Sequence, residues 1–156
     1  MSKKSSNPRD RLGVFKRYAG VPSGYRLEQY EAEYADRDVW EEFVKSREFD
    51  HDSDHYWNTF QKAGESWRSH TATRGRHHAL ARPEDVESWY SSLLETRTLG
   101  TVHSEYAYRL IEFYDWLQWH VDHPHTYHPP LQAARAYPTA RELWKTAYGL
   151  VEVGDD

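Results

Sequence analysis

Apolar residues recur every three or four positions from residue 101 to residue 121, which predicts one long helix with a single buried face. A helix of this length would extend about 30 Å. The sequence therefore places its most continuous apolar surface on this helix. The residues of the predicted face are Val102, Tyr106, Leu110, Phe113 and Leu117, widened by Trp116 and His120.

A second, shorter helix is predicted directly before the long one, from Pro83 to about residue 94. Proline is favoured at the first helical position, and the charges of Glu84 and Asp85 suit the positive end of a helix dipole. A turn that contains Gly100 then connects the two helices. The buried face of the shorter helix is expected to consist of Val86, Trp89, Tyr90, Leu93 and Leu94.

Two short helices are predicted before this pair. Tyrosines at helical spacing favour one over residues 25–35. Asp38 and Glu41 have the spacing of a capping box, which opens a short amphipathic helix that extends to about Arg47.

A further helix follows a polar turn and is expected to begin with Ser53 or Asp54 as its cap. After the long helix, three prolines break the helical pattern, and Thr139 with Glu142 has the capping-box spacing that opens a last helix. No strand-like alternation persists, so the predicted fold class is all-α, a small helical bundle with a flexible N-terminal arm. The core face of the helix after Ser53 consists of Tyr56, Phe60, Ala63 and Trp67.

A chain of 156 residues has the usual size of one compact domain with tails. The first 24 residues lack helical periodicity of apolar positions, and residues 25–50 are rich in acidic side chains. The predicted organisation is a flexible basic arm at 1–24, an acidic helical extension at 25–50, a helical bundle at 51–130, and a linker with a C-terminal helix at 131–156.

Composition excludes several classes of protein. The chain has no cysteine, so disulfides, thiolate zinc sites and cysteine nucleophiles are ruled out. No apolar run approaches membrane-spanning length, and the N-terminus has no apolar signal core, so we expect a cytoplasmic protein without a membrane partner. The 7 tryptophans and 12 tyrosines indicate a core built on large rings.

Charge is segregated along the chain. The formal net charge of -5 argues against a nucleic-acid partner when taken alone, because phosphates require local positive potential. However, residues 28–55 carry 11 of the 25 acidic residues, whereas residues 66–83 carry none. A basic face on an acidic protein is therefore possible. The cations of residues 66–83 are Arg68, Arg74, Arg76 and Arg82, accompanied by His70, His77 and His78.

The helix pair resembles the N-terminal core-binding domain of tyrosine recombinases and integrases, including divergent members found in halophilic archaea. The resemblance extends over residues 53–130, and its most specific part is the run from Arg109 to Leu117. It implies a SAM-like helical bundle that binds double-stranded DNA during DNA integration or recombination. The matching positions are Val86, Trp89, Leu94, Thr101, Tyr106, Arg109, Leu110, Phe113, Tyr114, Trp116 and Leu117.

In that family a second domain carries the arginine, lysine, histidine and tyrosine that cut DNA. The present chain ends at Asp156 without such a domain, so catalysis is not carried over. We expect a module that is not an enzyme and that grips duplex DNA without a cofactor.

The resemblance also implies which segments approach the major groove, namely residues 68–78 and 99–109. Arginine can bind phosphates or guanine edges, and helix N-termini donate N–H groups to phosphate. This prediction requires that both segments share one exposed, positively charged surface; otherwise they are an ordinary solvated loop and helix. Backbone contacts are expected from Arg74, Arg76 and His77, and contacts near the bases from Thr101, His103, Ser104 and Tyr108.

Two alternatives remain open. A surface rich in tryptophan and tyrosine would favour a protein-interaction module, whose partner is a recombinase catalytic domain or a second copy of the chain. A metal site would require the histidines between residues 120 and 128 to converge, but their irregular spacing and the intervening proline disfavour this, so no metal is predicted. The aromatic candidates are Trp40, Trp57, Trp119 and Trp144, and the histidines are His120, His123, His125 and His128.

Overall fold

A computed structural model describes residues 7–47 and 53–148. Over these residues the fold is a small all-α bundle without strands, which confirms the predicted fold class. The helices are α1 Pro8–Arg11, α2 Glu31–Tyr34, α3 Val39–Ser46, α4 Asp54–Thr73, α5 Pro83–Leu94, α6 Leu99–Val102, α7 Tyr108–Trp119, α8 Pro129–Ala136 and α9 Pro138–Tyr148.

The predicted long helix lies at the centre of the core. Its five stripe residues, from Val102 to Leu117, are each at most 3% exposed. The ring of Phe113 lies 4.8 Å from that of Trp40 and 5.5 Å from that of Phe43, so α3 packs directly on α7. Aromatic side chains bury large areas, so these contacts contribute much of the stability of the bundle.

The long helix contains a π-helical turn, His103–Ala107, between α6 and α7. Val102, Tyr106 and Leu110 are spaced by four, and each step of four in an α-helix rotates a side chain about 40° past a full turn. A π turn holds more residues per turn and keeps these three side chains on one face. The sequence pattern did not predict this interruption.

The caps of α3 and α4 are confirmed. Asp38 accepts a hydrogen bond from the backbone N–H of Glu41 (3.1 Å), and Ser53 accepts one from Tyr56 (3.4 Å). Both side chains satisfy N–H groups that the first helical turn cannot pair internally.

The region after the long helix differs from the prediction. Helix α8 begins at Pro129, at the end of the predicted bundle, and continues to Ala136 in the stretch assigned to a linker. It starts with two prolines, Pro129 and Pro130, and His128 before them accepts a hydrogen bond from Leu131 N–H (3.2 Å). Proline fits the first positions of a helix, where its missing N–H is not required. The predicted cap at Thr139 is wrong, because α9 begins at Pro138.

The basic arm also differs from the prediction over residues 7–24. This segment contains α1 and two short 3₁₀ turns, and Leu12 and Val21 are buried. The Arg11 guanidinium lies 3.4 Å from the Asp115 carboxylate. Single apolar residues without periodicity dock this segment on the bundle, so the pattern alone could not show it. Residues 1–6 lie outside the described part.

No helix within the described ranges has both the length and the apolar character needed to cross a membrane.

Candidate nucleic-acid interface

The basic loop between α4 and α5 is organised around Asp85, which is fully buried. Its Oδ1 lies 2.5 Å from Arg74 Nε, and its Oδ2 lies 2.6 Å from Arg76 Nε. Gly75, with φ of +72°, provides the bend that places both arginines on the same carboxylate. Two guanidinium groups share one negative charge, so the cluster keeps a net positive charge.

Asp85 also accepts a hydrogen bond from the backbone N–H of Arg82 (2.9 Å), which caps the start of α5. A buried carboxylate is stable only when it is paired and hydrogen-bonded, and here both conditions are met. Arg74 and Arg76 therefore have a structural role, and fewer of their N–H groups remain for contacts to DNA.

His77 lies in the same loop but is neutral. Its Nδ1 accepts a hydrogen bond from Ala79 N–H (3.0 Å), so its Nε2 carries the proton and donates to the Arg37 carbonyl (2.8 Å). The pKa of His77 is lowered, and burial of the ring is the largest cause. Both ring nitrogens are engaged, and His77 offers no free donor to a phosphate.

The loop packs against the acidic N-terminal segment. His78 Nε2 accepts hydrogen bonds from the backbone N–H groups of Val39 and Trp40, both at 3.1 Å. Arg68 pairs with Asp38 at 2.6 Å. The carboxylates of this segment therefore lie beside the basic loop and reduce its positive potential.

The other half of the predicted interface lies at the start of the long helix. The Thr98 hydroxyl accepts a hydrogen bond from Thr101 N–H (3.2 Å) and caps α6. Thr101, Ser104 and Tyr108 are spaced by three and four, so they share one face, on which Ser104 and Tyr108 are exposed. His103 is half-buried beside Tyr108, with a ring separation of 6.2 Å, and burial lowers its pKa.

The structure does not bring the two halves together. Arg74 and Arg76 bind Asp85 in the first turn of α5, whereas Thr98 follows the last turn, which ends at Leu94. Roughly 14 Å of helix separates Asp85 from Leu94. The predicted interface therefore consists of two patches at opposite ends of α5, so the requirement that both segments share one surface is not met.

Arg97 was not predicted as a site residue, although it lies directly before the Thr98 cap. Its Nε donates to the Tyr106 hydroxyl (3.1 Å), and its guanidinium lies 5.0 Å from the centre of the Tyr106 ring. No carboxylate pairs with it within the described ranges. In the sequence, only the position of Arg97 between two helices could have indicated a binding residue. Its lack of an acidic partner could not be predicted, because that depends on the fold.

The four tryptophans considered for a protein-binding surface differ in solvent exposure. Trp40 and Trp144 are buried and Trp57 is half-buried, whereas Trp119 at the end of α7 is 83% exposed. Val121, two residues later, is 95% exposed. Nothing in the described part of the chain covers these two side chains.

The histidines after the long helix make intramolecular contacts. His123 Nδ1 lies 2.5 Å from the Tyr34 hydroxyl, His125 Nε2 lies 2.6 Å from the Ala79 carbonyl, and His128 Nε2 lies 3.0 Å from Asp115. In the part of the chain that the structure describes, no three side chains of histidine, aspartate or glutamate are arranged to hold a metal ion.

No family model, curated protein or solved structure matches the chain. The resemblance to core-binding domains therefore rests on the residues of the helix pair alone.

Proposed function

We propose that this chain is a module that binds duplex DNA without cutting it, in the manner of the core-binding domains that its helix pair resembles. The contact surface is centred on Arg97 and the start of the long helix. The basic loop at the other end of α5 has a secondary role, since its arginines are already paired with Asp85.

The proposal rests on how the side chain of Arg97 is held and on its lack of a carboxylate partner among the described residues. Its guanidinium is held by the Tyr106 hydroxyl and ring but lacks a carboxylate partner among the described residues. An arginine that is positioned in advance loses less side-chain entropy when it binds a phosphate. Its remaining N–H groups can form charge-assisted hydrogen bonds to phosphate oxygens.

The neighbouring face suits the same ligand. Thr101 and Ser104 present hydroxyl groups one turn apart, and Tyr108 adds a hydroxyl and an exposed ring. Side chains of these types provide many of the hydrogen bonds to phosphate and sugar in protein–DNA complexes. Such contacts position a protein on a duplex, while base contacts would supply sequence preference.

The test compares Arg97→Ala with Arg37→Ala in binding to a fluorescent duplex, measured by anisotropy over a range of salt concentrations. Arg37 is also exposed, but Glu42 already neutralises it at 2.9 Å. We expect Arg97→Ala to weaken binding about tenfold and to reduce the salt slope by about one. Arg37→Ala should leave both nearly unchanged. Equal behaviour of the two variants, or no duplex binding at low salt, would refute the proposal.

A second candidate function is favoured by Trp119 and Val121. Tryptophan is enriched among the residues that dominate protein interfaces, and an exposed pair of apolar side chains can be buried in a complex. Self-association is the form of this function that can be measured directly. Sedimentation of the protein should then depend on its concentration, and Trp119→Glu should abolish that dependence. Monomeric sedimentation of the unaltered protein at every concentration would exclude self-association.

A further inference from the structure

A cleft of about 540 Å³ lies between the acidic N-terminal segment, the end of α4 and the basic loop. This volume falls within the range of small-molecule sites in proteins, about 300 to 1,000 Å³. Through Arg76 the cleft adjoins the Asp85 end of α5, whereas Arg97 lies beyond the other end. The cleft is therefore separate from the surface around Arg97.

His78 brings an unpaired donor to this cleft. The residue lines the cleft and is only 7% exposed. Its Nε2 accepts the backbone N–H groups of Val39 and Trp40, so the proton of the neutral ring lies on Nδ1. This Nδ1–H has no hydrogen-bond partner among the described residues. A buried donor without an acceptor is unfavourable, and an acceptor oxygen of a ligand in the cleft would satisfy it.

Arg76 brings a surplus positive charge to the same cleft. The Asp85 carboxylate that it contacts at 2.6 Å also pairs with Arg74, so two guanidinium groups share one negative charge. The closest contact is made by Nε, and neither terminal nitrogen of Arg76 forms a hydrogen bond with a described residue. These N–H groups suit a carboxylate, which would form charge-assisted hydrogen bonds with them.

The acidic segment brings two unpaired carboxylates. Glu31 and Asp36 line the cleft, are exposed, and form no ion pair with any described residue. The other charged side chains on this side of the cleft are paired with each other or with a neighbour, namely Arg37 with Glu42 and Arg68 with Asp38. Unpaired negative charge thus lies on the acidic segment and surplus positive charge on the basic loop. Such a cleft suits a ligand that carries both a negative and a positive group.

Part of the lining is apolar. Ala35 of the acidic segment and Ala72 of α4 both line the cleft and are exposed. An aliphatic group of a ligand would cover these methyl groups and remove apolar surface from water, which favours binding.

We propose that this cleft binds a free α-amino acid with an aliphatic side chain. The carboxylate of the ligand accepts hydrogen bonds from His78 Nδ1–H and from Arg76. The ammonium group pairs with Glu31 and Asp36, and the side chain packs on the alanine methyl groups. This inference does not rest on the proposed duplex binding, because the surface around Arg97 takes no part in it.

The experiment is calorimetric titration of the full chain with L-leucine at neutral pH. We expect leucine to bind. Leucinamide, which lacks the carboxylate, and N-acetylleucine, which lacks the ammonium group, should each bind at least about tenfold more weakly. Asp36→Asn should also weaken leucine binding about tenfold. The matched control is Glu33→Gln, because Glu33 is an exposed acid of α2 that does not line the cleft, and this variant should bind leucine normally.

Nitrogen-15 spectra of the histidine side chains test the other end of the ligand. In the free protein, Nδ1 of His78 should be the protonated nitrogen, and its signal should shift when leucine is added. Leucinamide at the same concentration should shift it much less. This measurement needs no substitution of His78, whose ring also holds the start of α3.

Absence of leucine binding would overturn the proposal, as would bound leucine that leaves the His78 signal unchanged. Equal losses in the Asp36 and Glu33 variants would also overturn it. If leucinamide bound as tightly as leucine while N-acetylleucine did not bind, the ligand would be the first residue of a peptide, and a free amino acid would be ruled out. Leucine binding without duplex binding would refute the proposed function and leave this inference standing, and the reverse result would do the opposite.

Discussion

The indole of Trp40 lies directly against the backbone of Gly64, in the space that a side chain at position 64 would occupy. A Cβ added to Gly64 would overlap the indole nitrogen, which at the same time donates to the Phe60 carbonyl at 3.0 Å. Trp40 is fully buried and contacts the rings of Phe43 and Phe113. The missing side chain on α4 thus allows α3 and α7 to share one aromatic core.

Gly64→Ala should therefore destabilise the protein, although alanine is the better helix former. Displacement of a packed indole costs about 1 to 3 kcal/mol, which outweighs the gain in helix propensity. The free energy of unfolding in urea measures the effect. Gly100→Ala is the matched control, because a Cβ there meets nothing within 4 Å, and it should leave stability unchanged or raise it by up to about 1 kcal/mol. Similar effects of both substitutions would contradict the close contact.

Sequence patterns predicted the core of this fold well, because burial repeats with helical period. The stripe of the long helix and the start of α5 at Pro83 are both confirmed. The arm and α8 were missed for a physical reason. Leu12 is a single apolar residue whose burial depends on tertiary contacts, and the prolines at the start of α8 have the same composition as a linker.

The candidate interface was harder to predict, since it depends on which charges are paired. Sequence spacing indicated that Asp85 interacts with a helix dipole, but the Gly75 bend brings Arg74 and Arg76 onto its carboxylate. Arg97 appeared unremarkable in the sequence. Its lack of an acidic partner becomes visible only when the surrounding helices are in place.

Asp85→Asn should destabilise the protein strongly. The substitution removes the negative charge between two partly buried guanidinium groups, and removal of one partner from a buried ion pair costs about 3 kcal/mol. Urea unfolding at neutral pH measures the loss. The neighbouring Glu84 is exposed, so Glu84→Gln should change stability by less than about 0.5 kcal/mol. If Asp85→Asn were as mild as this control, the two arginines would not depend on the carboxylate.

Glu87 of α5 caps α9 from outside that helix. Its carboxylate accepts hydrogen bonds from the backbone N–H groups of Thr139 (2.9 Å) and Ala140 (2.8 Å). Glu87→Ala should destabilise the protein by about 1 kcal/mol, as for loss of an N-cap, and should accelerate amide hydrogen exchange in the first turn of α9. Glu95→Ala, an exposed change at the end of α5, is the control and should leave that exchange rate unchanged. Unaltered exchange in the Glu87 variant would show that the cap is dispensable.

Acid should destabilise the protein through His78 and His125. Burial is the largest cause that lowers the pKa of each to about 3. His78 Nε2 accepts two backbone N–H groups at the start of α3, so a proton there would place three donors together. His125 Nδ1 is buried without a partner, and protonation would add an unpaired charge.

The sign of the effect follows from the two states of the chain. The unfolded pKa of histidine is about 6.5, so between about pH 6.5 and about pH 3 the unfolded chain binds more protons than the folded protein. Stability is therefore complete above about pH 6.5 and falls as the pH is lowered, by about 2 kcal/mol for each histidine at pH 5. Urea unfolding at several pH values measures this slope.

His78→Asn separates this effect from general acid sensitivity. The asparagine oxygen can accept the same N–H groups but does not titrate, so the variant should lose less stability between neutral and mildly acidic pH than the unaltered protein. His55→Asn, at an exposed position on α4, should retain the full slope. If His78→Asn and His55→Asn gave the same slope as the unaltered protein, His78 would not be a source of the acid sensitivity.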